Sequence, residues 1–349
     1  PALRDHVRMN HRGAADAEGK GKFDQLVVSA GHRFSFRLEL ISDQKDDQRL
    51  DEIVAFFSAG KVRLGGKTRR GLGECKLVAW RRGSFNLCSS DDIPRYRDFK
   101  ADPFCQRVGK IADPQKQGDW YELKFSLRDF LMIGGGIDPA NQADDAQLYA
   151  PWVVWKNHEG KVSGVPVLPG SSVKGVLAHR TAYHDNRLNG VTIDPENLPA
   201  PEEFQKLISE TTGSANAAVR ELFGEAVDHN VNAGQVGKVF IGDLDLSPIA
   251  DRAEAQPHLK IDPFTGGASD SALFSERPFV RKGEETLSLR IELRGEVSET
   301  ARAAFEAALK DLSEGRLSVG AGGAIGYGFL KGSLTSPQPQ GEQPEGNAA

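Results

Sequence analysis

An α+β architecture, present once in part and once in full, is what this sequence predicts, and three matched blocks predict it. His6-Val-Arg-Met-Asn10 matches His258-Leu-Lys-Ile-Asp262, and Phe34-Ser-Phe-Arg-Leu-Glu-Leu40 matches Leu287-Ser-Leu-Arg-Ile-Glu-Leu293. Residues 60–73 match residues 315–328 in the pattern G-[KR]-[VL]-x-[VL]-G-x5-G-x-G. The blocks keep their order at offsets of 252, 253 and 255 residues. A period this long marks duplicated domains rather than a short-period solenoid.

The elements follow in chain order. Residues 1–83 carry period-2 stretches at Gln25–Ser29 and Phe34–Ile41, then a short amphipathic helix near Leu50–Phe57. A basic strand then breaks into the glycine loop of Gly60–Gly73 and re-enters a strand. Residues 84–118 are polar and broken at Pro94, Pro103 and Pro114, which reads as a linker. Trp120–Asp129 alternates again and opens a second domain, expected over 119–335; Gly134-Gly-Gly136 ends its first strand and 137–150 reads as a polar loop. Val165–Leu168 leads into Pro169-Gly170-Ser171-Ser172 and a helix from about Ser172 to His184, with 185–216 irregular or partly helical. Val236–Leu244, Leu259–Asp262 and Thr286–Leu293 read as strands, Glu299–Leu312 as an Ala-rich helix, and the last strand flanks Gly326. Residues 336–349, with Pro-Gln-Pro-Gln, read as a disordered tail.

An opening strand feeding the helix after Pro169, and a helix between Leu293 and the final strand, give β-α-β-β-α-β order. That is the ferredoxin-like, or RNA-recognition-like, arrangement. Residues 1–83 show only its second half, so this partial domain is expected to be finished by a segment absent here or built in an altered way. Pro1 in place of an initiator Met fits a processed or truncated piece of a longer protein.

Composition describes a soluble globular chain long enough for two cored domains: 349 residues, 39% hydrophobic and 27% charged. No apolar run approaches a membrane-span length, and no charged-then-apolar leader supports secretion. Cys75, Cys88 and Cys105 form no C-x-x-C, which fits reduced thiols in a cytoplasm better than a disulfide framework or zinc knuckle. The net charge of −5 is unevenly spread: residues 60–83 carry eight Lys/Arg against one Asp/Glu, a local +7 that leaves −12 elsewhere. Phosphate binding depends on where cations sit, not on their sum, so nucleic acid stays open as a ligand.

Two local motifs carry chemistry. Pro169-Gly170-Ser171-Ser172 places exposed N–H groups and two hydroxyls at a helix start, an arrangement that favours a phosphate or simply caps the helix. Lys174 adds a point charge in the first turn. Glycine loops let backbone approach a polyanion closely. In the first loop Lys67, Arg69 and Arg70 add cations; the second, Ala321–Ile325, has none and is expected to act through backbone groups or to pack. Gly320-Ala-Gly322 is not a dinucleotide fingerprint, because only 21 residues follow Gly328, and Gly170–Lys174 has the wrong spacing for a phosphate-binding Walker loop.

The segment Val167-Leu-Pro-Gly-Ser-Ser-Val-Lys-Gly-Val-Leu177 resembles the helix-opening signature of the RAMP superfamily, RNA-binding proteins of CRISPR effector complexes. Gly320–Gly328 resembles that family's glycine-rich loop. Leu222-Phe-Gly224, Gly237-Lys-Val-Phe-Ile-Gly-Asp243, and His258–Asp262 with Thr265-Gly-Gly267 and Leu273-Phe274 fall between the two in the family's order. The resemblance covers roughly 120–334 and part of 1–83, and is greatest to the backbone subunits of type III effectors, here in tandem fusion. It implies α+β, ferredoxin-like RAMP domains, one partial and one complete. It also implies guide RNA (crRNA) held by Gly170, Ser171, Ser172, Lys174, Lys67, Arg69, Arg70 and His258, with target RNA and other CRISPR effector subunits as partners.

Backbone subunits of this kind often cut target RNA with an aspartate two residues before a Pro, typically with a divalent metal. Tyr149 holds that place before Pro151, where it is suited to stack on a displaced base. Asp144 and Asp145, and more remotely Asp138, are then the candidate catalytic carboxylates, with Mg2+ or another divalent ion whose ligands the sequence leaves unassigned. Endoribonuclease action on target RNA is therefore an open activity. His6 and His258 hold matched positions that favour strand-end RNA contact or core packing over acid–base chemistry. The alternatives are a metal-independent guide-RNA-processing endonuclease using His258 or His6, a non-catalytic RNA-binding scaffold, and an interaction module without RNA. Trp152 and Trp155 read as core or subunit contacts.

Overall fold

The computed structural model describes the chain except residues 1, 8, 10–20, 43–47, 59, 61, 81, 102–118, 136–142, 157–158, 195, 229–232, 284 and 338–349. In chain order the elements are β1 (Ala2–Val7), β2 (Lys22–Val27), α1 (Arg49–Ser58), α2 (Asp92–Ala101), β3 (Asp119–Leu127), β4 (Phe130–Leu131), β5 (Tyr149–Lys156) and β6 (Glu159–Leu168). There follow α3 (Gly170–Leu188), α4 (Pro201–Thr211), α5 (Ala217–Phe223), β7 (Gly224–Asp228), β8 (Ala233–Val236), β9 (Val239–Ile241) and β10 (Leu244–Asp245). The chain closes with β11 (Gln256–Ile261), β12 (Ala268–Glu276), β13 (Phe279–Val280), β14 (Leu287–Leu293), α6 (Glu299–Ser313) and β15 (Leu330–Thr335). Two compact units result: residues 1–32, 69–71 and 118–349 form one, and residues 33–68 and 72–117 the other.

The first unit is built on a four-stranded antiparallel sheet in the order β15-β3-β14-β9. With α3 between β3 and β9, and α6 between β14 and β15, this is the split β-α-β pattern that the sequence predicts. Alternation explains the central strands. Tyr121, Leu123, Phe125 and Leu127 of β3, and Leu287, Leu289, Ile291 and Leu293 of β14, point to one buried face. Ala301, Phe305, Ala308, Leu309 and Leu312 recur at helical spacing and seat α6 on that face, where Tyr121 meets Phe305 edge-on at 5.7 Å. The Tyr121 hydroxyl donates to Glu306 at 2.8 Å, and burial, with this carboxylate second, pushes the phenol well above its ordinary range.

Three insertions decorate the sheet: the β5–β6 hairpin, the α4–α5–β7–β8 segment, and the β11–β12 hairpin. The β5–β6 hairpin is a departure from the expected loop over 137–150 and the short strand at Val165–Leu168. Pro151, Gly160, Gly164 and Pro166 blur the periodicity, yet eight residue pairs from Tyr149–Pro166 to Lys156–Glu159 hold it. The expected connector likewise contains α2, whose Pro94 sits in the first turn, where its missing N–H costs no helical bond. Phe34–Ile41, expected as a strand, forms none. A lone strand has no partners for its backbone groups, and the described residues supply no counterpart of β3 or β9 there. The sequence-expected tail lies outside the described residues beyond Pro337.

The matched segments share backbone detail. Arg63 bridges Glu74 as Ser318 bridges Phe329, and the Leu64 amide donates to Gly73 O (2.8 Å) as the Val319 amide donates to Gly328 O (3.0 Å). A short 3-10 turn follows at Thr68–Arg70 and again at Gly323–Ile325. Lys67 stands where the second copy has Gly322, and adopts the same left-handed conformation, φ 54° against 75°. A non-glycine residue at this φ is costly, so the turn itself imposes it. His6 stacks on Phe23 at 5.1 Å and 17°, as His258 stacks on Phe274 at 4.9 Å and 17°.

Candidate nucleic-acid interface

Helix α3 begins at Gly170 because the chain must pass hard against the end of β9. A Cβ at position 170 would lie 2.4 Å from Ile241 O and 2.8 Å from Gly242 O. Pro169 is the N-cap, with φ −64° and ψ 133°, and it has no side-chain group to cap the helix. The Ser172 and Val173 amides turn back to Pro169 O, and the Gly170 amide donates to Asp243 Oδ1 at 2.9 Å. Asp243 Oδ2 in turn accepts from Arg4 Nη2 at 2.5 Å. A carboxylate of the chain therefore occupies the first amide of this helix, where an anion is favoured by the aligned peptide dipoles. The sequence reading missed Asp243, although it closes the quoted Gly237–Asp243 block; nothing local announces a cap 73 residues downstream.

Lys174 does not project into solvent. Its ammonium donates to Arg69 O (3.3 Å) and Val239 O (3.4 Å) and lies 5.8 Å from the centre of the Phe223 ring. Arg69 Nε donates to Gly237 O at 2.6 Å and its guanidinium lies 5.3 Å from the Phe240 ring centre. Gly71 follows at φ 88°, where a Cβ would meet Ile241 O at 2.7 Å. Thus Arg69, Arg70, Lys174 and Gly170 are gathered around one strand end, while Ser171 and Ser172 sit half-buried in the helix's first turn. Arg70 is exposed. Lys67 belongs to the second unit, exposed on its own glycine loop.

Burial first, and then the charges of Arg70 and Arg69, lower the Lys174 ammonium from its ordinary 10.5 to about 8. Below about pH 8 it is charged in both folded and unfolded chains. Between there and its ordinary value the unfolded chain keeps a proton that the folded chain has released, so stability rises with pH. The wild type should therefore gain about 1 to 2 kcal/mol relative to Lys174→Met between roughly pH 8 and pH 10. Paired thermal melts across that range check this, and a constant gap between the two proteins would refute it.

A second cluster surrounds His258. Its Nε2 lies 3.4 Å from Tyr327 Oη and 3.4 Å from Glu276 Oε2, an ion-pair contact outside hydrogen-bond geometry for the carboxylate. Burial and, less strongly, Glu276 raise the Tyr327 phenol. The segment carrying Asp144 and Asp145 is laced to the same strand. Asp144 Oδ2 accepts from the Ser275 amide (2.7 Å) and hydroxyl (3.2 Å), Asp145 bridges Glu276, and Asp145 O accepts from the Arg277 amide at 3.0 Å. Glu276 is the carboxylate that sequence spacing did not bring to notice; only the β11–β12 pairing puts it beside His258. Among the described residues no three His, Cys, Asp or Glu side chains are grouped to hold a metal ion, and Asp138 lies outside them.

Tyr149 opens β5 opposite Pro166 and is exposed, so the position expected to carry an aspartate is on an ordered strand. Trp152 packs with Ala150, Val165 and Val167, whereas Trp155 Nε1 donates to Gly31 O at 2.6 Å. Trp152 thus packs, and Trp155 hydrogen-bonds. No described helix is long and apolar enough to cross a membrane.

Comparison with known proteins finds the RAMP superfamily model matching residues 154–331. Comparison with curated proteins finds no match. Among solved structures, a chain titled "Type IV-B CRISPR Complex" is similar with 14% identity and a TM-score of 0.41, over 65% of this chain and 95% of that one.

Proposed function

The chain belongs to the RAMP superfamily, and from that premise we propose that it is a guide-RNA-holding backbone subunit of a type III-like CRISPR effector ribonucleoprotein, acting in the cytoplasm. One observation carries the reading: Arg69, Arg70 and Lys174 converge on the start of α3. Base pairing supplies sequence specificity in RNA-guided complexes, and the protein grips backbone and shape. Here Arg70 is the exposed phosphate contact, and Lys67 offers another on the first glycine loop. Lys174 and Arg69 are positioning residues, since their polar atoms bind carbonyls and hold the Arg69–Gly71 segment in place. Ser171 and Ser172, in the first turn of α3, offer hydroxyls. In this reading residues 1–83 are a partial copy and 119–335 a complete copy of the fold, with 84–118 between them, and such linkage raises the effective concentration of neighbouring units on a guide.

The described residues do not fit a divalent ion, because Asp144 is spent on Ser275 and no ligand set is assembled. No cleavage step is therefore derived through a metal. For cutting of guide-paired target RNA, Asp144 and Asp145 stay the candidate carboxylates. Asp144→Asn with Asp145→Asn, in the assembled particle, should abolish target cutting and leave bound guide RNA; unchanged cutting removes both residues from the chemistry. The His258–Tyr327–Glu276 contacts favour one second reading, a guide-RNA-processing endonuclease. Cutting of isolated repeat RNA in a chelator, lost in His258→Ala, would replace the first reading with it.

The test of the main reading is the RNA that co-purifies with the chain. Sequencing is expected to return guides of uniform length bearing a common repeat-derived tag. A preparation without nucleic acid at low salt would overturn it in favour of an interaction module.

A further inference from the structure

Among the described residues, α4 is the helix of the first unit that buries no side chain. Phe204, Leu207 and Ile208 recur at i, i+3 and i+4, the spacing of a face built to be covered. Yet all three stay half-buried, and none joins the core around the sheet. What holds this helix is local. Pro201 opens it, the Glu203 carboxylate accepts from the Ala200 amide at 3.3 Å, and Lys206 pairs with Glu210 at 3.9 Å. Lys before Glu is the weaker order for such a pair. Asn186 Nδ2 donates to Thr211 O at 3.1 Å and ties the far end of α4 to the end of α3. Eleven residues make a helix that is marginal in water without tertiary cover. The connection into it is likewise uncovered, with Leu188 and Leu198 58% and 74% exposed. Apolar side chains gathered in one exposed segment mark an interaction surface.

Charge selects the occupant. Residues 188–211 hold five Asp/Glu against one Lys, a local −4. The Glu196 amide first, and then the Asn197 side chain, hold the Asp194 carboxyl below its ordinary range, so it stays ionised. Phosphate is repelled from such a surface, which rules out RNA and an anionic lipid bilayer. A second copy presenting the same segment would set −4 against −4, so an isologous self-contact is disfavoured as well. The complement is a protein face with an apolar centre and a rim of Lys and Arg, taken up in the helix-in-groove manner that i, i+3, i+4 anchors serve.

We propose that α4, with the connection that leads into it, is the docking surface for a basic, apolar-centred face of a different protein. The inference rests on burial and charge and not on the RNA reading. The test uses the full chain, tagged and carrying a photo-crosslinker in place of Leu198, isolated from the cells that natively produce it. The crosslinked peptide is expected to come from another protein and to carry more Lys and Arg than Asp and Glu. Glu196→Lys with Glu210→Lys should cut the crosslink yield at least 10-fold. Both side chains are exposed, so the melting temperature should stay within about 2 °C of the wild type, and the RNA that co-purifies should be unchanged. The proposal is overturned by the absence of a protein crosslink, by a crosslink to RNA, lipid, an acidic peptide or this chain itself, or by a yield that charge reversal leaves intact. RNA content is read separately in the same preparation. Loss of the crosslink with guide RNA still bound counts against this proposal alone, and absence of RNA with the crosslink retained counts against the RNA reading alone.

Discussion

Reversing both charges of the first glycine loop, Arg69→Glu with Arg70→Glu, is expected to weaken guide-RNA binding by roughly 10- to 100-fold at low salt. It should also lower the slope of log affinity against log salt by about 0.7, since Arg70 is the phosphate contact of the pair and each such contact on a single strand contributes roughly 0.7. The single variants separate the two roles. Arg70 is exposed, so Arg70→Ala should reduce the slope by about 0.7 and leave the melting temperature unchanged. Arg69 holds Gly237 O at 2.6 Å and faces the Phe240 ring, so Arg69→Ala should be less stable by about 1 to 2 kcal/mol and melt earlier, because a buried carbonyl loses its donor. Fluorescence anisotropy of a labelled single-stranded RNA across a salt series, with parallel melts, reads both. An unaltered slope for the double variant would mean that the cluster points away from RNA.

The expectation that Lys174 is a surface cation and the finding that it is buried differ for a physical reason. Spacing places a lysine in the first turn of a helix, but the carbonyls that draw it inward come from Val239 and Arg69, 65 and 105 residues away. Local pattern carries no information about such partners. Where local pattern does suffice, the reading is close. The alternating residues of β3 and β14 and the alanine-spaced face of α6 declare their own burial, and the expected helix after Pro169 gains only a turn at its far end. The β5–β6 hairpin stayed hidden because its glycines and prolines imitate a loop, and its regularity comes from cross-strand pairs. The acid beside His258 stayed hidden because Glu276 reaches it through the β11–β12 pairing, 18 residues along the chain. Phe34–Ile41 fails in the opposite sense, since a strand pattern needs neighbours before it becomes a strand.

Two glycines of one helix should respond with opposite signs to the same substitution. Gly175 lies exposed in the interior of α3, and an added methyl there would meet nothing within 4 Å, so Gly175→Ala removes unfolded-state freedom at no steric cost. It should raise stability by about 0.5 to 1 kcal/mol. Gly170 occupies the first turn of the same helix, but its methyl would stand 2.4 Å from Ile241 O and 2.8 Å from Gly242 O, both backbone atoms that cannot rotate away. Accommodating it means lifting α3 from the end of β9, which breaks the Gly170–Asp243 bond and leaves the Asp243 carboxylate with Arg4 alone. A loss of roughly 3 kcal/mol is expected, from overpacking together with a lost charge-assisted bond. For a unit of this size each kcal/mol corresponds to about 2 to 4 °C, so the two variants should melt on opposite sides of the wild type, separated by about 8 °C or more. Because Lys174 and Arg69 hang on the same strand end, Gly170→Ala should also weaken RNA binding, while Gly175→Ala should not. Equal melting temperatures for the two variants would show that α3 does not start against β9, and the placement of the whole cationic cluster would fall with it.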